Sequence, residues 1–449
     1  MKLYEFNSTY ITTISFVSAL GGYLFGFDFA VISGALPFLR TTFELSASGE
    51  GFLTGSLALG CIAGCLLAGS TVDRYGRKPG LLVAAFIFAI SSLGMAWSNT
   101  LPVFIAMRFT AGVGVGMASM LSPMYIAEIS PAHVRGRNVS VNQLTIVTGI
   151  LVTNLVNYTL ANKGADAWRW MFGLGAIPSC IFFAGVLWLP ESPRWLIKEN
   201  RQADALKVLN KLGNSNFATD TITKIEASLQ GARKQNFSAV FEKSVRPALV
   251  LGITLAVFQQ LCGINVVFNY TSTIFESVGA NLNRQLLETV GIGIVNLTFT
   301  IIAMFLVDKL GRRRLMLFGS LGLSVLYIVL AIVLQAHLSP GIVSLFVLLS
   351  IATYGISLAP VTWVLISEIF PNRIRGAASS VAIVSLWLAY FILVFTFPIL
   401  VKYLGTYGPF YLYAIICFLG FLFVRKKVKE TKGKTLEELE EYQEAAVIH

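Results

Sequence analysis

An ionisable residue lies inside the first apolar segment of the chain. The stretch GYLFGFDFAVISG, residues 22–34, carries Asp28 between Phe27 and Phe29. A charged Asp at mid-bilayer costs roughly 2.5–3.5 kcal/mol, so such a residue normally faces a cavity or a partner. Arg108 is the basic residue in a comparably apolar setting in the first half of the chain. An arginine favours the charged carboxylate and desolvation favours the neutral acid. A shift in the balance of these two effects would let Asp28 take up a proton and release it. The alternative is a permanent ion pair between two helices.

A group of carboxamides marks a second region that can bind a polar ligand. Gln259, Gln260 and Asn265 fall within one apolar segment. On an unbroken helix, Gln259 and Asn265 would point about 120° apart. They converge only if the helix bends, and Gly263 lies between them. Broken helices at substrate sites are common in transporters. The plainer alternative is that these amides bridge helices, at roughly 0.6–2 kcal/mol each.

These residues are set in a chain dominated by apolar segments. Of its 449 residues, 55% are hydrophobic and 13% charged, against about 25% charged in soluble domains. A spanning helix needs roughly 20 apolar residues. Twelve segments reach that length, and they predict an all-α polytopic membrane protein. They cover residues 10–34, 50–72, 80–98, 101–126, 139–160, 169–189, 247–275, 287–307, 315–336, 341–366, 377–400 and 407–424.

The net charge of +11 follows the loops between these segments. Basic residues concentrate in alternate loops, and short loops rich in Lys and Arg stay in the cytoplasm. The pattern therefore predicts that both termini are cytoplasmic, and it gives no reason to expect nucleic-acid binding. The basic loops fall at residues 74–78, 133–137, 309–314, 373–375 and 425–427.

Two loop sequences occur twice. DRYGRK at 73–78 returns as DKLGRRR at 308–314, and AEISPAHVRGR at 127–137 returns as SEIFPNRIRGA at 367–377. The intervals are similar, 308 − 73 = 235 and 368 − 128 = 240 residues. Paired halves suit a carrier that rocks around one central site. The predicted organisation is an N-terminal six-helix half at 1–190, a cytoplasmic helical linker at 191–246, a C-terminal six-helix half at 247–425 and a cytoplasmic tail at 426–449.

The order of the motifs resembles the sugar porter family of the major facilitator superfamily over essentially the whole chain, most of all its bacterial proton–xylose and hexose symporters. The resemblance implies the major facilitator fold and proton-coupled symport of a neutral monosaccharide such as glucose, galactose or xylose. The motifs that carry it are GSTVDRYGRK (69–78), RFTAGVGVGMA (108–118), SMLSPMYIAE (119–128), PESPRWL (190–196), QQLCGIN (259–265) and KGKTLEELE (432–440), beside the Asp28 stretch.

A monosaccharide carries hydroxyls that both donate and accept hydrogen bonds. Carboxamides match them, because each has two donors and an acceptor, and an aromatic ring can cover the C–H face of the sugar. The tryptophans have an alternative role in packing or at the membrane interface. The chemistry and the resemblance together predict as sugar-binding residues Gln143, Gln259, Gln260, Asn265, Asn296, Trp363 and Trp387.

Four positions depart from the pattern of the proton–xylose symporters. Ile150 replaces a glutamine and Phe268 a leucine, as in the related glucose facilitators, and both are included in the predicted site. Leu386 and Tyr390 replace amides on either side of Trp387. A hexose is therefore predicted at least as strongly as xylose.

The resemblance also assigns roles to the charged residues. Proton symporters of the family carry Asp where this chain has Asp28, whereas glucose facilitators carry Asn, which implies that Asp28 is the proton site and Arg108 tunes it. The resemblance implies that residues of the repeated loops form ion pairs between the halves when the cytoplasmic gate is shut. The alternative for some of these charges is that they only orient the spans. The implied gating residues are Asp73, Arg74, Arg77, Glu128, Arg135, Asp308, Arg312, Glu368 and Arg375.

The sequence shows no enzyme chemistry. The three histidines are scattered, and GVGVG at 112–116 lies in an apolar segment, where it predicts close helix packing instead of a dinucleotide site. We expect no metal and no cofactor beyond the coupling proton, and as partners only the sugar, the proton and the lipid bilayer of a bacterial inner membrane, with the chain a monomer. Two alternatives stay open, a facilitative uniporter of the same fold and a non-transporting sugar sensor.

Overall fold

The computed structural model describes residues 4–230, 242, 245–370, 375–430 and 432. Apart from one isolated β-bridge between Phe6 and Gly213, the described secondary structure is helical. The helices are α1 (Ser8–Thr42), α2 (Ala47–Tyr75), α3 (Arg77–Trp97), α4 (Leu101–Ile129), α5 (Ala132–Leu160), α6 (Ala167–Gly173), α7 (Ala176–Trp188), α8 (Pro193–Lys198), α9 (Gln202–Leu212), α10 (Ser215–Gln230), α11 (Arg246–Leu261), α12 (Ile264–Asn269), α13 (Thr271–Glu276), α14 (Leu282–Leu310), α15 (Arg312–Gln335), α16 (Pro340–Ile356), α17 (Leu358–Ile369), α18 (Arg375–Leu404) and α19 (Gly408–Lys427).

These helices confirm the predicted membrane architecture. Within the described residues, twelve helical stretches are long and apolar enough to cross a membrane. Six of them precede Glu191 and six follow Val245. Three of the spans are built from two consecutive helices, namely α6 with α7, α11 with α12, and α16 with α17. The chain is therefore an all-α polytopic membrane protein with twelve spans in two sets of six.

Two compact units can be distinguished by the density of their internal contacts. Unit 1 comprises residues 1–28, 60–150 and 172–234, and unit 2 comprises 29–59, 151–171 and 235–449. The division differs from the predicted halves because the second part of α1 packs within unit 2. There Ser272 Oγ donates a hydrogen bond of 2.7 Å to the carbonyl oxygen of Ser33. The domain boundaries drawn from the repeat stay a prediction.

Unit 1 brings α2 and α4 into backbone contact through glycines. A Cβ atom at Gly60 would lie 2.0 Å from the carbonyl oxygen of Phe109, and one at Gly64 would lie 2.2 Å from that of Val113. From the other helix, a Cβ atom at Gly116 would lie 2.3 Å from the carbonyl oxygen of Cys61. Gly116 belongs to the GVGVG stretch, so that glycine serves close helix packing.

The short helices α8 to α10 form a lobe of unit 1 with its own apolar core. The core consists of Trp195, Leu196, Ile197 and Ala205, against which Val208, Ile222 and Ile225 pack. The chain ahead of α1 is fastened to this lobe, since Asn7 N donates to Leu212 O and Asn214 N donates to Glu5 O, at 2.9 and 3.0 Å. The lobe and the start of the first span therefore belong to one packed body.

Unit 2 contains two broken spans. The seventh breaks at Gly263, whose φ of +89° lies in the left-handed region that glycine adopts without strain. The tenth breaks at Ser357, between α16 and α17. Pro360 follows in the first turn of α17, where a missing N–H leaves no helical hydrogen bond unmade. Each break turns the polar groups of its span in a new direction.

The contact between α2 and α4 generates a stability prediction. We expect Gly64→Ala to destabilise the protein by about 1–3 kcal/mol, because its methyl group meets a backbone carbonyl that cannot move aside. Gly69→Ala is the matched control, since a Cβ atom on that glycine of the same helix has no neighbour within 4 Å. Thermal unfolding of the two variants in detergent measures the difference. Equal melting temperatures would show that the close approach has no energetic weight.

Candidate functional site

Asp28 on α1 and Arg108 on α4 lie together in unit 1, as the sequence predicts. Arg108 Nη1 is 3.4 Å from Asp28 Oδ1, and both residues are fully buried. Asp28 Oδ2 and Arg108 Nε and Nη2 have no hydrogen-bond partner among the described residues. The guanidinium carbon of Arg108 lies 5.8 Å from the ring centroid of Phe172. The pair is therefore buried but only partly satisfied.

This geometry differs from that of a structural ion pair. A charge-assisted N–H···O bond is usually about 2.7–2.9 Å long, and arginine commonly engages both carboxylate oxygens. A buried pair offsets its desolvation only with excellent geometry and further hydrogen bonds. Asp28 and Arg108 have one long contact and three unpaired polar atoms. The contact is therefore longer and less complete than that of a typical buried ion pair.

The predicted sugar-binding residues divide between the two units. Gln143, half-buried, and Ile150, 5% exposed, lie on α5 in unit 1. The other seven belong to unit 2, where Trp363 is 42% exposed and the rest are buried. Among these seven, Asn296 on α14 lies beside Gly355 of α16.

The amides of the seventh span form a hydrogen-bonded chain. The break at Gly263 brings Asn265 back toward Gln260, whose Oε1 accepts a hydrogen bond from Asn265 Nδ2. Gln260 Nε2 then donates to Gln259 Oε1 at 3.1 Å, and Gln259 Nε2 donates to Tyr354 Oη on α16 at 3.2 Å. The three amides thus converge, and the bond to Tyr354 bridges two helices. Each amide keeps at least one donor or acceptor position for a further partner.

An aromatic cluster lies close to this amide chain within unit 2. The ring of Phe268 on α12 is 5.7 Å from that of Phe29, which is itself 5.9 Å from Tyr390. Tyr390 and Trp387 are neighbours on α18, with ring centroids 5.8 Å apart. Of these four aromatic residues, Phe268 and Trp387 are among the predicted sugar-binding residues. The combination of amides and apolar ring faces suits a ligand with hydroxyls on one side and C–H groups on another.

The predicted gating residues that the structure describes differ in their contacts at the helix ends. Arg77 Nη2 contacts Glu128 Oε1 at 2.7 Å, and Glu128 also accepts a hydrogen bond from Ser192 Oγ. Arg135, another of the predicted gating residues, is exposed, and so is Arg74, whose guanidinium carbon lies 5.2 Å from the ring centroid of Tyr75. The side chains of Asp73, Asp308, Glu368 and Arg375 lie outside the described residues.

Glu191 and Glu430 occupy equivalent places in the two halves of the sequence. Glu191 accepts hydrogen bonds from the backbone N–H groups of Arg77 and Lys78, at 2.9 and 3.1 Å, at the start of α3. Glu430 accepts the same bonds from Arg312 and Arg313, at 2.9 and 3.2 Å, at the start of α15. Burial raises the pKa of the Glu191 carboxyl, whereas the backbone N–H groups oppose that rise. A carboxylate at a helix N-terminus also interacts favourably with the helix dipole.

A further ion cluster in unit 2 was not predicted from the sequence. Arg40 at the end of α1 donates two hydrogen bonds of 2.7 Å to Glu50 on α2 and one of 2.9 Å to Glu276 on α13. It also donates to Thr273 Oγ1. In the sequence, the members of this cluster are visible only as charged residues near the ends of three apolar segments. Their pairing was not readable because Glu276 lies 236 positions from Arg40.

Comparison with known proteins shows the family. The profile of the family described as "Sugar (and other) transporter" matches residues 14–442. The D-xylose-proton symporter of Escherichia coli (strain K12) is 41% identical, with 97% of this chain and 96% of the relative covered. The arabinose-proton symporter of Bacillus subtilis (strain 168) is 37% identical, with 96% and 94% covered.

The fold is shared as well. A partially occluded, inward-open structure of the xylose transporter XylE from E. coli superposes with a TM-score of 0.86 at 38% identity, over 95% of this chain and 100% of that one. The chain thus has the fold of a major facilitator transporter. It belongs to the sugar porter family, whose members are transporters and not enzymes. Among the described residues, no group of His, Cys, Asp or Glu is placed to hold a metal ion.

The amide chain generates a binding prediction. We expect Gln260→Ala to weaken sugar binding about tenfold or more, because it removes the middle link between Asn265 and Gln259, and one net hydrogen bond contributes about 0.5–1.5 kcal/mol. Gln285→Ala is the control, since this equally buried amide of unit 2 donates instead to Ala280 O at 2.8 Å. Titration calorimetry on the purified variants with candidate monosaccharides measures the difference. If both variants lose affinity equally, the amide chain is only structural.

Proposed function

We propose that this protein is a proton-coupled symporter that carries a neutral monosaccharide across the bacterial inner membrane by alternating access, with Asp28 as the proton site. Membership of the sugar porter family and similarity to proton symporters over nearly the whole chain support the reaction. The observation that carries the proton role is the fully buried Asp28, whose Oδ2 has no partner among the described residues. A uniporter has no need for a carboxylate held in this way.

Proton coupling follows from the electrostatics of the pair. When Asp28 is ionised, its charge is balanced by Arg108 at 3.4 Å. When Asp28 is protonated, Arg108 keeps its charge beside the face of the Phe172 ring. Water that reaches Asp28 favours the ionised carboxylate, and exclusion of water favours the neutral acid. A conformational cycle that alternately exposes Asp28 to water and buries it therefore loads and releases one proton without any cofactor.

The proposed sugar contacts start with the amide chain. Sugar hydroxyls donate and accept, so they can join Gln259, Gln260 and Asn265 without leaving a buried polar group unpaired. Phe268 and Trp387 supply the apolar faces. Glucose, galactose and xylose all fit this chemistry, and the named relatives carry xylose and arabinose. The remaining proposed contacts are Gln143, Ile150, Asn296 and Trp363.

Charges at the helix ends complete the proposed cycle. The excess of Lys and Arg in alternate loops supports cytoplasmic termini. The Arg77–Glu128 pair then lies at the cytoplasmic end of its spans, and Arg40 with Glu50 and Glu276 lies at the outer end. Such pairs need only a small difference in stability between two conformations to act as gates. One chain carries both the proton pair and the amide chain, so we propose a monomer.

The function is tested by transport. We expect wild-type protein in right-side-out vesicles to accumulate labelled sugar when a proton gradient is imposed, since 100 mV supplies roughly 2.3 kcal/mol per charge, or about fifty-fold. Asp28→Asn should abolish accumulation but retain sugar exchange, because no proton can then be bound or released. Asp166→Asn is the control, as that carboxylate pairs with Arg169 at 2.9 Å on an exposed turn.

The alternatives give different results in the same assay. A uniporter would equilibrate sugar without accumulation, and Asp28→Asn would transport as well as wild type. A sugar sensor would bind sugar and transport none. Either result would overturn the proposed symport.

The outer ion cluster is tested by hydrogen exchange. We expect Glu276→Gln to raise deuterium uptake in residues 271–276 several-fold, because Arg40 then loses its charged contact with α13. Glu44→Gln is the control, an exposed carboxylate near the same end of α1. Unchanged exchange in the Glu276 variant would mean that the cluster does not hold α13.

A further inference from the structure

We propose that the hydrogen-bonded pair of Asn269 and Tyr390 sets the sugar selectivity of the transport site by keeping the Asn269 amide away from the substrate. Asn269 lies on α12 and Tyr390 on α18, both in unit 2. Neither Asn269 nor Tyr390 is among the predicted sugar-binding residues. The inference rests on the proposed monosaccharide transport and concerns which monosaccharides are favoured.

The two residues lie next to proposed sugar contacts on both helices. Asn269 follows Asn265 by four residues, and Tyr390 follows Trp387 by three, so each shares a helix face with a proposed contact. Asn269 Nδ2 donates to Asn265 O at 2.6 Å, and the rings of Tyr390 and Trp387 are 5.8 Å apart. The pair thus lies immediately beside the amide and the aromatic wall of the site.

Both N–H donors of the Asn269 amide have partners, and its oxygen lies beside the Tyr390 hydroxyl. Its Nδ2 donates to Tyr390 Oη at 2.9 Å as well as to Asn265 O, and its Oδ1 can accept from the Tyr390 hydroxyl at 3.2 Å. Both residues are buried, with exposed fractions of 0% and 2%. An amide in this position would otherwise offer a donor and an acceptor to a sugar hydroxyl. Tyr390 therefore removes one polar contact point from the site.

The ring of Tyr390 also supports the apolar side of the site. It packs against Phe29 and Trp387. Leu386, four residues earlier on the same face of α18, is buried, and its side chain cannot form hydrogen bonds. Phe29 and Leu386 therefore offer a sugar hydroxyl no hydrogen-bonding side chain on this wall. Glucose carries a hydroxymethyl group that xylose lacks. The relative transport of these two sugars therefore reports whether a new polar partner for that group has appeared at this wall.

The test is a double-mutant cycle read as a ratio of sugars. Tyr390→Phe keeps the ring contacts and removes the hydroxyl, which frees a donor and the acceptor of Asn269. We expect the ratio of kcat/KM for glucose to that for xylose to rise about tenfold, the effect of roughly one hydrogen bond. The rise should disappear in Tyr390→Phe combined with Asn269→Leu, because the amide that produces it is then missing.

Tyr270→Phe is the matched control. Tyr270 is also a buried tyrosine of unit 2, but its hydroxyl donates to the backbone carbonyl oxygen of Val394 at 2.7 Å. Its loss should leave the ratio of the two sugars within twofold of wild type, even if total activity falls. An equal change in both tyrosine variants would mean that loss of a buried hydroxyl, and not release of Asn269, alters the ratio.

A second variant keeps the inference testable if Tyr390→Phe does not fold. Asn269→Leu alone should not lower the ratio, because the wild-type amide already has partners, and the Tyr390 hydroxyl that it releases can only raise the ratio. A tenfold fall would show that Asn269 binds sugar directly and would overturn the inference. A ratio that stays unchanged in folded, active Tyr390→Phe would overturn it too. Wild-type protein that carries no monosaccharide would instead overturn the proposed function.

Discussion

A fully buried carboxylate and guanidinium persist in an apolar bundle only if the surrounding helices hold them together, and this requirement shapes unit 1. Asp28 lies on α1 and Arg108 on α4, so both helices must pack closely around the pair. Glycines achieve this. A Cβ atom at Gly21 of α1 would lie 2.3 Å from Ser122 Oγ on α4, and one at Gly26 would lie 2.0 Å from the carbonyl oxygen of Ile146 on α5. Close backbone packing excludes water, and under the proposed function this exclusion makes the protonation state of Asp28 sensitive to small movements.

Carboxylates serve a different purpose at the helix ends. Glu191 and Glu430 each accept two backbone N–H groups at the start of a helix that follows a glycine with positive φ, Gly76 in one half and Gly311 in the other. These carboxylates satisfy orphan donors, so they stabilise one local conformation. Asp28 Oδ1 lies 3.4 Å from Arg108 Nη1, and its Oδ2 has no hydrogen-bond partner among the described residues. Its surroundings thus differ from those of Glu191 and Glu430, as its proposed role as the proton site requires.

Much of the architecture could be predicted from sequence because the signals are local. Each span is a run of apolar residues, and the angular spacing of Gln259 and Asn265 indicates a break at Gly263 if these amides are to converge. The Asp28–Arg108 pair was also readable, since each residue is an isolated charge in an apolar stretch. In these cases the type of one residue restricts its partner to very few candidates.

The contacts that could not be predicted join residues whose types allow many partners. Tyr354 lies 95 positions from Gln259, and Tyr390 lies 121 from Asn269. Tyrosines and amides are numerous enough that neither pairing stands out in the sequence. Arg40 could equally have paired with Glu44, which lies on the same side of the loop in sequence. The packing of α11, α12 and α13 against their neighbours decides these partners.

One short stretch of unit 2 gathers several of these functions. Asn265, Asn269, Thr273 and Glu276 follow one another at helical spacing along α12 and α13. The first joins the amide chain, the second pairs with Tyr390, and the last two contact Arg40. Both helices have only six residues, and nearly all of their side chains are buried. Under the proposed function, the sugar contacts this element through Asn265, and Arg40 contacts its other end. The proposed sugar site and the outer ion cluster therefore share one short, buried stretch of the chain.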